Sequence, residues 1–233
     1  MNDATRPDAA AQPMLLLPLA KAKVWGGAAL AARVGQAGDD RPIGEVWLAH
    51  DDSRIGSGPL SGARLADAVA ADPLGVVGRC VERVGRPVFP VLAKLLHTTA
   101  WLSVQVHPDD AAAGVLEGQA FGKPEVWCIL DAAPGAAVLH GVRRPLARDE
   151  LAAAAGDARV VDLLHRQPVR ADDVLYNAPG VLHALGPGIV LFELQRASDI
   201  SYRLYDWDRG GDHGRALHVE QALAVARLDP EPV

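Results

Sequence analysis

Five short apolar segments in the second half of the chain, separated by proline and glycine turns, place the strongest constraint on its fold. They occupy residues 101–106, 125–130, 136–142, 173–176 and 189–195. Apolar runs of this length with turn residues between them are typical of β-strands, because helices need longer periodic stretches. Many short strands in succession bury their apolar faces by closing into a sandwich or a barrel. The sequence therefore predicts a mainly β fold.

Helical periodicity is concentrated in two other segments. Residues 60–83 have apolar residues at helical spacing, and Pro73 is expected to divide this segment into two short helices. The Ala-rich residues 145–166 have the same periodicity and interrupt the series of strands as a helical insert. A few helices are therefore expected beside the β-structure.

The chain is predicted to have three parts. Residues 1–13 are polar and rich in Ala and Pro, which favours a disordered tail. Residues 14–100 are expected to form an N-terminal extension of short strands and helices packed on the main domain. Residues 101–228 hold most of the predicted strands and are expected to form that domain.

Composition excludes several classes of partner. The 233 residues are 49% hydrophobic and 22% charged, which is ordinary for a globular protein, and the net charge is −6. An acidic chain lacks the basic footprint of a protein that binds nucleic acid or an anionic membrane. The only cysteines, Cys80 and Cys128, are too few for a disulfide framework. We expect a cytoplasmic protein without a signal peptide or a membrane span; no feature of the sequence indicates an oligomeric state.

The stretch LSVQVHPDD suggests a site for chemistry. Strand alternation puts Gln105 and His107 on one face, and Pro108 ends the strand because it cannot donate to the ladder. Glu125, in GKPEVWCIL, and His183, after the turn of NAPGVLHALG, could join them. Two imidazoles, a carboxylate and an amide oxygen suit a cation such as zinc. Taken singly, each histidine is better explained by a hydrogen-bonded position in the core than by metal binding.

Longer motifs connect these residues to a known family. FPVLAK, LSVQVHPDD, GKPEVW, PGVLHALG and FELQRASDISYRLYDWDR follow one another, with KVWGG, IGEVW and GPLSG upstream. Together they resemble the class I mannose-6-phosphate isomerases, over roughly residues 20–220. The resemblance implies a cupin jelly-roll β-sandwich. It also implies one zinc ion per chain, bound by Gln105, His107, Glu125 and His183.

The same resemblance implies a reaction on a small phosphorylated sugar. The family interconverts mannose 6-phosphate and fructose 6-phosphate through a cis-enediol(ate), which requires stabilisation of oxygen charge and a positioned acid or base. Arg203 is expected beside the enediol because a guanidinium stays cationic. The other implied site residues are Lys123 and Glu193 for catalysis, and Lys94, Ser103 and Arg209 for the phosphate.

The chain also departs from the family pattern. Its turn APGVLHA lacks the threonine of the usual PxGTxHA, Ser201 replaces a threonine before the YR pair, and His97 stands where aspartate is common. The chain ends soon after RALHVEQALAVARL, so a short form without the second cupin domain is expected. These changes leave the proposed metal ligands and Arg203 in place.

Three other functions compete with an isomerase. A cupin dioxygenase is disfavoured because its HxH motif is followed closely by a carboxylate, whereas Glu125 lies 18 residues beyond His107. A non-catalytic or differently specific sugar-phosphate-binding cupin is the main alternative, since it would keep the same pocket. A purely structural β-protein would not explain the ligand set.

Overall fold

The computed structural model describes residues 12–31, 42–209 and 215–230. The predicted N-terminal tail lies almost wholly outside these ranges, so its expected disorder stays a prediction. Among the helices in the described ranges, none has the length and hydropathy needed to span a membrane.

Most of the regular secondary structure in the described residues is antiparallel β-sheet, which confirms the predicted fold class. The strands are β1 (Leu16–Leu17), β2 (Leu19–Gly27), β3 (Ile43–Ala49), β4 (Arg54–Ile55), β5 (Val91–Thr98), β6 (Val104–Val106), β7 (Glu125–Ala132), β8 (Ala137–Val142), β9 (Leu164–Pro168), β10 (Val174–Asn177), β11 (His183–Leu185), β12 (Ile189–Arg196) and β13 (Tyr202–Tyr205). β1 pairs with β4, and the others form a six-stranded and a five-stranded sheet.

The six-stranded sheet has the order β10-β7-β12-β5-β3-β2. β5 alternates between half-buried and buried residues along its whole length, and it pairs with β12 from Val91–Arg196 to Thr98–Ile189. Three of the six strands therefore come from the segment expected to be an N-terminal extension. That segment is part of the sheet itself, because its strands complete the hydrogen-bonded ladder on one side of β12.

The five-stranded sheet, in the order β13-β6-β11-β8-β9, packs against the six-stranded sheet. Between the two sheets lies an apolar cluster that includes Trp127 and Leu191 from one sheet and Val138 and Leu185 from the other. Because side chains alternate along a strand, Val104 and Val106 point away from this interior into a second cluster. β6 is therefore buried on both faces, and Gln105 between these valines faces the interior.

Seven helices are described, and most flank the sheets. They are α1 (Leu65–Ala71), α2 (Pro73–Val77), α3 (Cys80–Val84), α4 (Asp110–Glu117), α5 (Arg148–Ala154), α6 (Arg159–Leu163) and α7 (Val219–Val225). Pro73 begins α2, and Asp72 accepts a hydrogen bond from the Gly75 N–H at 3.0 Å, so the first helical segment divides at the proline. Leu151 of α5 and Ala222 of α7 pack in the second apolar cluster, the one that contains Val104 and Val106.

Candidate metal site and adjoining cavity

Three predicted metal ligands converge in the interior between the two sheets. His107 directly follows β6, His183 begins β11, and Glu125 begins β7 of the opposite sheet. Their ligand atoms all lie within 4.8 Å of one another, and all three residues are buried. His107 Nε2 is 3.3 Å from Glu125 Oε1, and His183 Nε2 is 3.8 Å from Glu125 Oε2. Donors from both sheets thus meet at one point.

Backbone hydrogen bonds fix the protonation of both imidazoles. His107 Nδ1 donates to the Ile200 carbonyl at 2.8 Å, and His183 Nδ1 donates to the Val181 carbonyl at 2.9 Å. A carbonyl only accepts, so each neutral ring carries its proton on Nδ1 and has a lone pair on Nε2. The buried Nε2 of His107 has no hydrogen-bond partner among the described residues. Lone pairs of both histidines and a carboxylate therefore face one another, an arrangement that a cation would satisfy.

Burial keeps the two histidines neutral. It is the largest influence on His183, and together with His107 it lowers the pKa of His183 to about 3. Burial and then Lys123 lower the pKa of His107. Burial opposes the charge of Glu125, but Lys123 and His107 outweigh it and hold the pKa of this carboxyl well below its usual range. Neutral imidazole and ionised carboxylate are the forms that bind a metal.

The Pro179-Gly180 turn links the two histidines. Gly180 has φ 87°, a left-handed conformation that favours glycine, and a Cβ there would lie 2.8 Å from the Val225 carbonyl oxygen. The Gly180 N–H donates to the His107 carbonyl at 2.9 Å. The turn therefore aims His183 at His107 without the threonine of the usual family pattern.

Gln105 lies beside the three convergent residues. It pairs across the sheet with His183 on one side and with Arg203 on the other. Its Nε2 lies 3.4 Å from His183 Nε2, so a half-turn of the terminal amide puts the amide oxygen in that position. Gln105 is thus within reach of the fourth ligand position that the resemblance implies.

Lys123 is held against Glu125. Its Nζ is 3.0 Å from Glu125 Oε1 and 3.3 Å from Ser201 Oγ, and the side chain is 7% exposed. The Lys123 N–H also donates to the Pro108 carbonyl at 3.0 Å, which ties the segment before β7 to the end of the QVHP motif. The serine that replaces the usual threonine therefore contacts a residue predicted to be catalytic.

Glu193 and Lys94 form a buried ion pair on the six-stranded sheet. Lys94 Nζ lies 2.8 Å from Glu193 Oε1 and 3.9 Å from Glu45 Oε2, and Trp127 Nε1 donates to Glu193 Oε2 at 3.0 Å. Burial, and then the Glu125 carboxylate, raise the pKa of Glu193. Burial opposes the charge of Lys94, but Glu193 and Glu45 raise its pKa above the usual range. The charge of Lys94 is thus compensated by two carboxylates.

Arginines gather at the other end of the site, around Asp206. Arg209 donates to Asp206 Oδ1 at 2.6 Å and to the Trp101 carbonyl at 2.7 Å. Arg215 donates to Asp206 Oδ1 and to Ser103 Oγ, each at 2.6 Å. The sequence analysis missed Arg215, because its partner Ser103 lies 112 residues away and no local spacing connects them.

One cavity joins most of these residues. The predicted site residues that line it are Lys94, Ser103, Gln105, Lys123, Glu125, Glu193 and Arg203, and Arg215 lines it as well. His107 and His183 meet Glu125 behind it. Arg209 is not part of the lining, since its guanidinium is directed to Asp206 and the Trp101 carbonyl. The structure therefore brings nine of the ten predicted residues to one site.

Comparison with known proteins gives a consistent result. Residues 14–127 match the family described as phosphomannose isomerase type I, catalytic domain. Mannose-6-phosphate isomerase of Streptococcus mutans is 39% identical over 226 residues, which are 94% of this chain and 69% of that protein. The probable mannose-6-phosphate isomerase GmuF of Bacillus subtilis is 37% identical, over 93% of this chain and 69% of its own length.

Solved structures agree with the sequence matches. The mannose 6-phosphate isomerase of Bacillus subtilis superposes with a TM-score of 0.81 at 33% identity, over 93% of this chain and 69% of that one. A zinc-bound mannose 6-phosphate isomerase shares the fold with a TM-score of 0.71 at 18% identity, over 94% and 75% of the two chains. This chain belongs to the type I mannose-6-phosphate isomerase family.

Proposed function

We propose that this protein is an aldose–ketose isomerase that interconverts mannose 6-phosphate and fructose 6-phosphate through a cis-enediol(ate). The observation that carries the proposal is the convergence of the lone pairs of His107, His183 and Glu125 behind a cavity lined by Arg203. Family membership supports the choice of substrate. A non-catalytic sugar-phosphate-binding cupin is the outcome that would replace this proposal.

The donor set fits one divalent zinc ion per chain. His107, His183 and Glu125 would hold it, with Gln105 as the fourth ligand. When bound, such an ion polarises a sugar carbonyl or hydroxyl as a Lewis acid. The orphaned Nε2 of His107 supports this assignment, because a buried nitrogen without a partner costs free energy unless something binds it.

Arg203 would stabilise the oxygen charge that develops as the proton leaves carbon. Its backbone lies opposite Gln105, and its side chain lines the cavity. Burial and then Arg215 lower the pKa of this guanidinium, which still remains cationic at working pH. No carboxylate of the described residues forms an ion pair with it, so its charge is available to the substrate. A fixed cation of this kind acts mainly on the transition state.

Proton transfer would fall to Glu193 and Lys123, which line the same cavity. Burial and Glu125 raise the pKa of Glu193, and a carboxyl with a raised pKa is the better general base near neutral pH. We therefore assign Glu193 the proton that moves between C2 and C1. Lys123, beside Glu125 and Ser201, would exchange protons with the sugar oxygens.

A coupled assay tests the function. The conversion of mannose 6-phosphate to fructose 6-phosphate is followed with enzyme stripped of metal by a chelator, before and after addition of zinc. We expect activity only after zinc is restored. Tight binding of mannose 6-phosphate by the zinc-loaded protein, without conversion, would identify a binding cupin.

A further inference from the structure

Two of the candidate metal ligands, one from each sheet, already have the spacing that a metal requires. His107 Nε2 and Glu125 Oε1 are 3.3 Å apart. Two donors at about 2.0–2.1 Å from a tetrahedral zinc ion lie about 3.3 Å from each other. Both atoms present lone pairs, so they repel each other unless a cation lies between them. Contacts elsewhere in the protein must therefore hold the segments of these two residues together.

Four residues outside the substrate cavity connect these two segments, and we call them the outer clasp: Asp110, Phe121, Gly122 and Arg196. Asp110 lies three residues after His107, and Gly122 lies three residues before Glu125. None of the four lines the substrate cavity, whereas Asp110 and Arg196 line a separate groove of about 320 Å³. The outer clasp can therefore act on the metal ligands without contact to the sugar.

The Asp110 carboxylate is the centre of the outer clasp. Its Oδ1 accepts a hydrogen bond from the Gly122 N–H at 2.8 Å. Nη1 of Arg196 donates to the same carboxylate, at 3.1 Å to Oδ1 and 2.9 Å to Oδ2. One side chain at the start of α4 thus joins the segment that precedes β7 and the end of β12.

Arg196 holds the Glu125 segment on both sides of Gly122. Its guanidinium lies 4.5 Å from the centroid of the buried Phe121 ring, within the range of a cation–π contact. Its backbone N–H donates to the Pro124 carbonyl at 3.4 Å. The position of Glu125 is therefore coupled to Asp110 through Arg196 as well as through Gly122.

The segments approach closely where Gly122 crosses the end of the QVHP motif. A Cβ on Gly122 would lie 2.3 Å from the Pro108 carbonyl oxygen, so only glycine fits there. The side chains of Asp110 and Arg196 are 53% and 34% exposed. An ion pair this exposed contributes little to the stability of a fold. Its main effect is therefore on the relative position of the segments that it joins.

We propose that Asp110 and Arg196 are positioning residues that set the distance between His107 and Glu125 and so raise the affinity of the site for zinc. Neither residue would contact the metal or the sugar. The inference rests on the metal site of the proposed function and not on the reaction. Residues that orient metal ligands typically change the affinity for the metal about 10- to 100-fold.

Competition with a chelator measures the zinc Kd of each variant without turnover. Asp110→Ala removes the contacts to both Gly122 and Arg196, so its Kd should rise about 10- to 100-fold. Asp110→Asn keeps an oxygen that can accept from the Gly122 N–H and should recover part of this loss. Arg196→Ala leaves that hydrogen bond in place and should raise the Kd less than Asp110→Ala does.

Asp109→Ala is the matched control. Asp109 has the same charge as its neighbour and caps α4 by accepting from the Ala112 N–H at 2.8 Å, whereas its carboxylate forms no hydrogen bond with Gly122 or Arg196 in the described structure. We expect a lower melting temperature for the metal-free variant and an unchanged zinc Kd. An equal rise of the Kd in Asp109→Ala, or an unchanged Kd in Asp110→Ala and Arg196→Ala, would overturn the role of the outer clasp.

The wild type separates this inference from the proposed function. A wild type that binds no zinc would refute the metal site and the outer clasp together. A wild type that binds zinc more tightly than Asp110→Ala, but does not convert mannose 6-phosphate, would refute only the isomerase.

Discussion

The two sheets face the same cavity with opposite electrostatic character. On the six-stranded sheet, Lys94 lies between Glu193 and Glu45, and Glu45 also pairs with Lys23 at 3.2 Å. On the five-stranded side, the Gln105 amide and the guanidiniums of Arg203 and Arg215 line the cavity, and the imidazole lone pairs lie behind it. Arg215 shares the Asp206 carboxylate with Arg209. Charges are compensated on one sheet and left partly unpaired on the other.

This difference separates charges that are paired within the protein from groups that are left open to a ligand. A buried charge that is paired and hydrogen-bonded is stable in place, whereas an unpaired donor or cation costs free energy unless a ligand completes it. The five-stranded side therefore has the donors and cations that a ligand would complete. The row Glu45, Lys94 and Glu193 holds the proposed base Glu193 in the opposite wall. Glu125, at the edge of this row, is the carboxylate that reaches across to the histidines.

Removal of one metal ligand should have the largest effect. We expect His183→Ala to lose stoichiometric zinc and to lower isomerase activity by about 10³-fold or more, because Lewis-acid catalysis supplies several kcal/mol. Zinc content by mass spectrometry and the coupled assay check this. His140, directly opposite His183 on β8, is the matched control: His140→Ala should keep its zinc. Full zinc content in His183→Ala would show that the metal lies elsewhere.

The metal site was accessible to sequence reasoning because local rules position it. Two-residue alternation aligns Gln105 with the QVHP histidine, and the Pro-Gly turn before His183 is visible in the sequence. Helical periodicity and Pro73 likewise predicted two helices in residues 60–83. The structure has three between residues 65 and 84, because Gly78, at φ 64°, ends α2 before α3 begins.

The pairing of strands that are far apart in the sequence could not be predicted from local patterns. The pairing of β5 with β12, which brings Lys94 against Glu193, depends on strand register and not on local pattern. For that reason the sequence suggested an N-terminal extension packed on the main domain, and Lys94 as a phosphate residue and not as the partner of Glu193. Arg215 was missed for a related cause, since only the tertiary fold brings it to Ser103.

Breaking the ion-paired row of Glu45, Lys94 and Glu193 should lower the free energy of unfolding and should not weaken the binding of phosphate. In Lys94→Met, Glu193 and Glu45 lose their shared cation, and removal of one partner of a buried ion pair costs about 3–5 kcal/mol. Urea unfolding with zinc present measures the free energy of unfolding. The double variant Lys94→Met/Glu193→Gln should recover part of this loss because no unpaired carboxylate remains at position 193. A stable Lys94→Met with a raised KM would reverse the comparison between the sheets.

Substitution of Arg203 tests the five-stranded side, where the charge of this guanidinium is not balanced by an ion pair with a described residue. Loss of one fixed cation from the transition state should lower kcat about 10²- to 10³-fold in Arg203→Ala, which corresponds to about 3–4 kcal/mol. KM should change much less, because the ground-state sugar presents no full negative charge to this guanidinium. Arg203→Lys should not restore the rate, since it lacks the planar fork. An effect on KM alone would move Arg203 to the residues that bind the phosphate.

The smallest expected effect concerns the acid stability that Glu45 gives to the six-stranded sheet. Burial opposes its charge, but Lys94, Lys23 and the Trp47 indole outweigh burial and lower the pKa of Glu45 from 4.5 to about 2. A carboxyl with a lowered pKa in the folded state stabilises the fold above its unfolded pKa, and this stabilisation is lost as the pH falls from about 4.5 to about 2.

Glu45→Gln should therefore be less stable than the wild type at pH 7, by at most about 3 kcal/mol, and the difference should shrink as the pH falls from 5 to 2. Urea unfolding at several pH values measures it, and the histidines titrate in both proteins, so their effect cancels in the difference. Glu82→Gln on α3 removes an exposed carboxylate that pairs with Arg79 and should change little at any pH. If the Glu45→Gln difference did not depend on pH, Glu45 would be stabilising the sheet by packing alone. The compensated row would then be weaker than its distances indicate, and the contrast with the five-stranded side would rest on the metal ligands and arginines only.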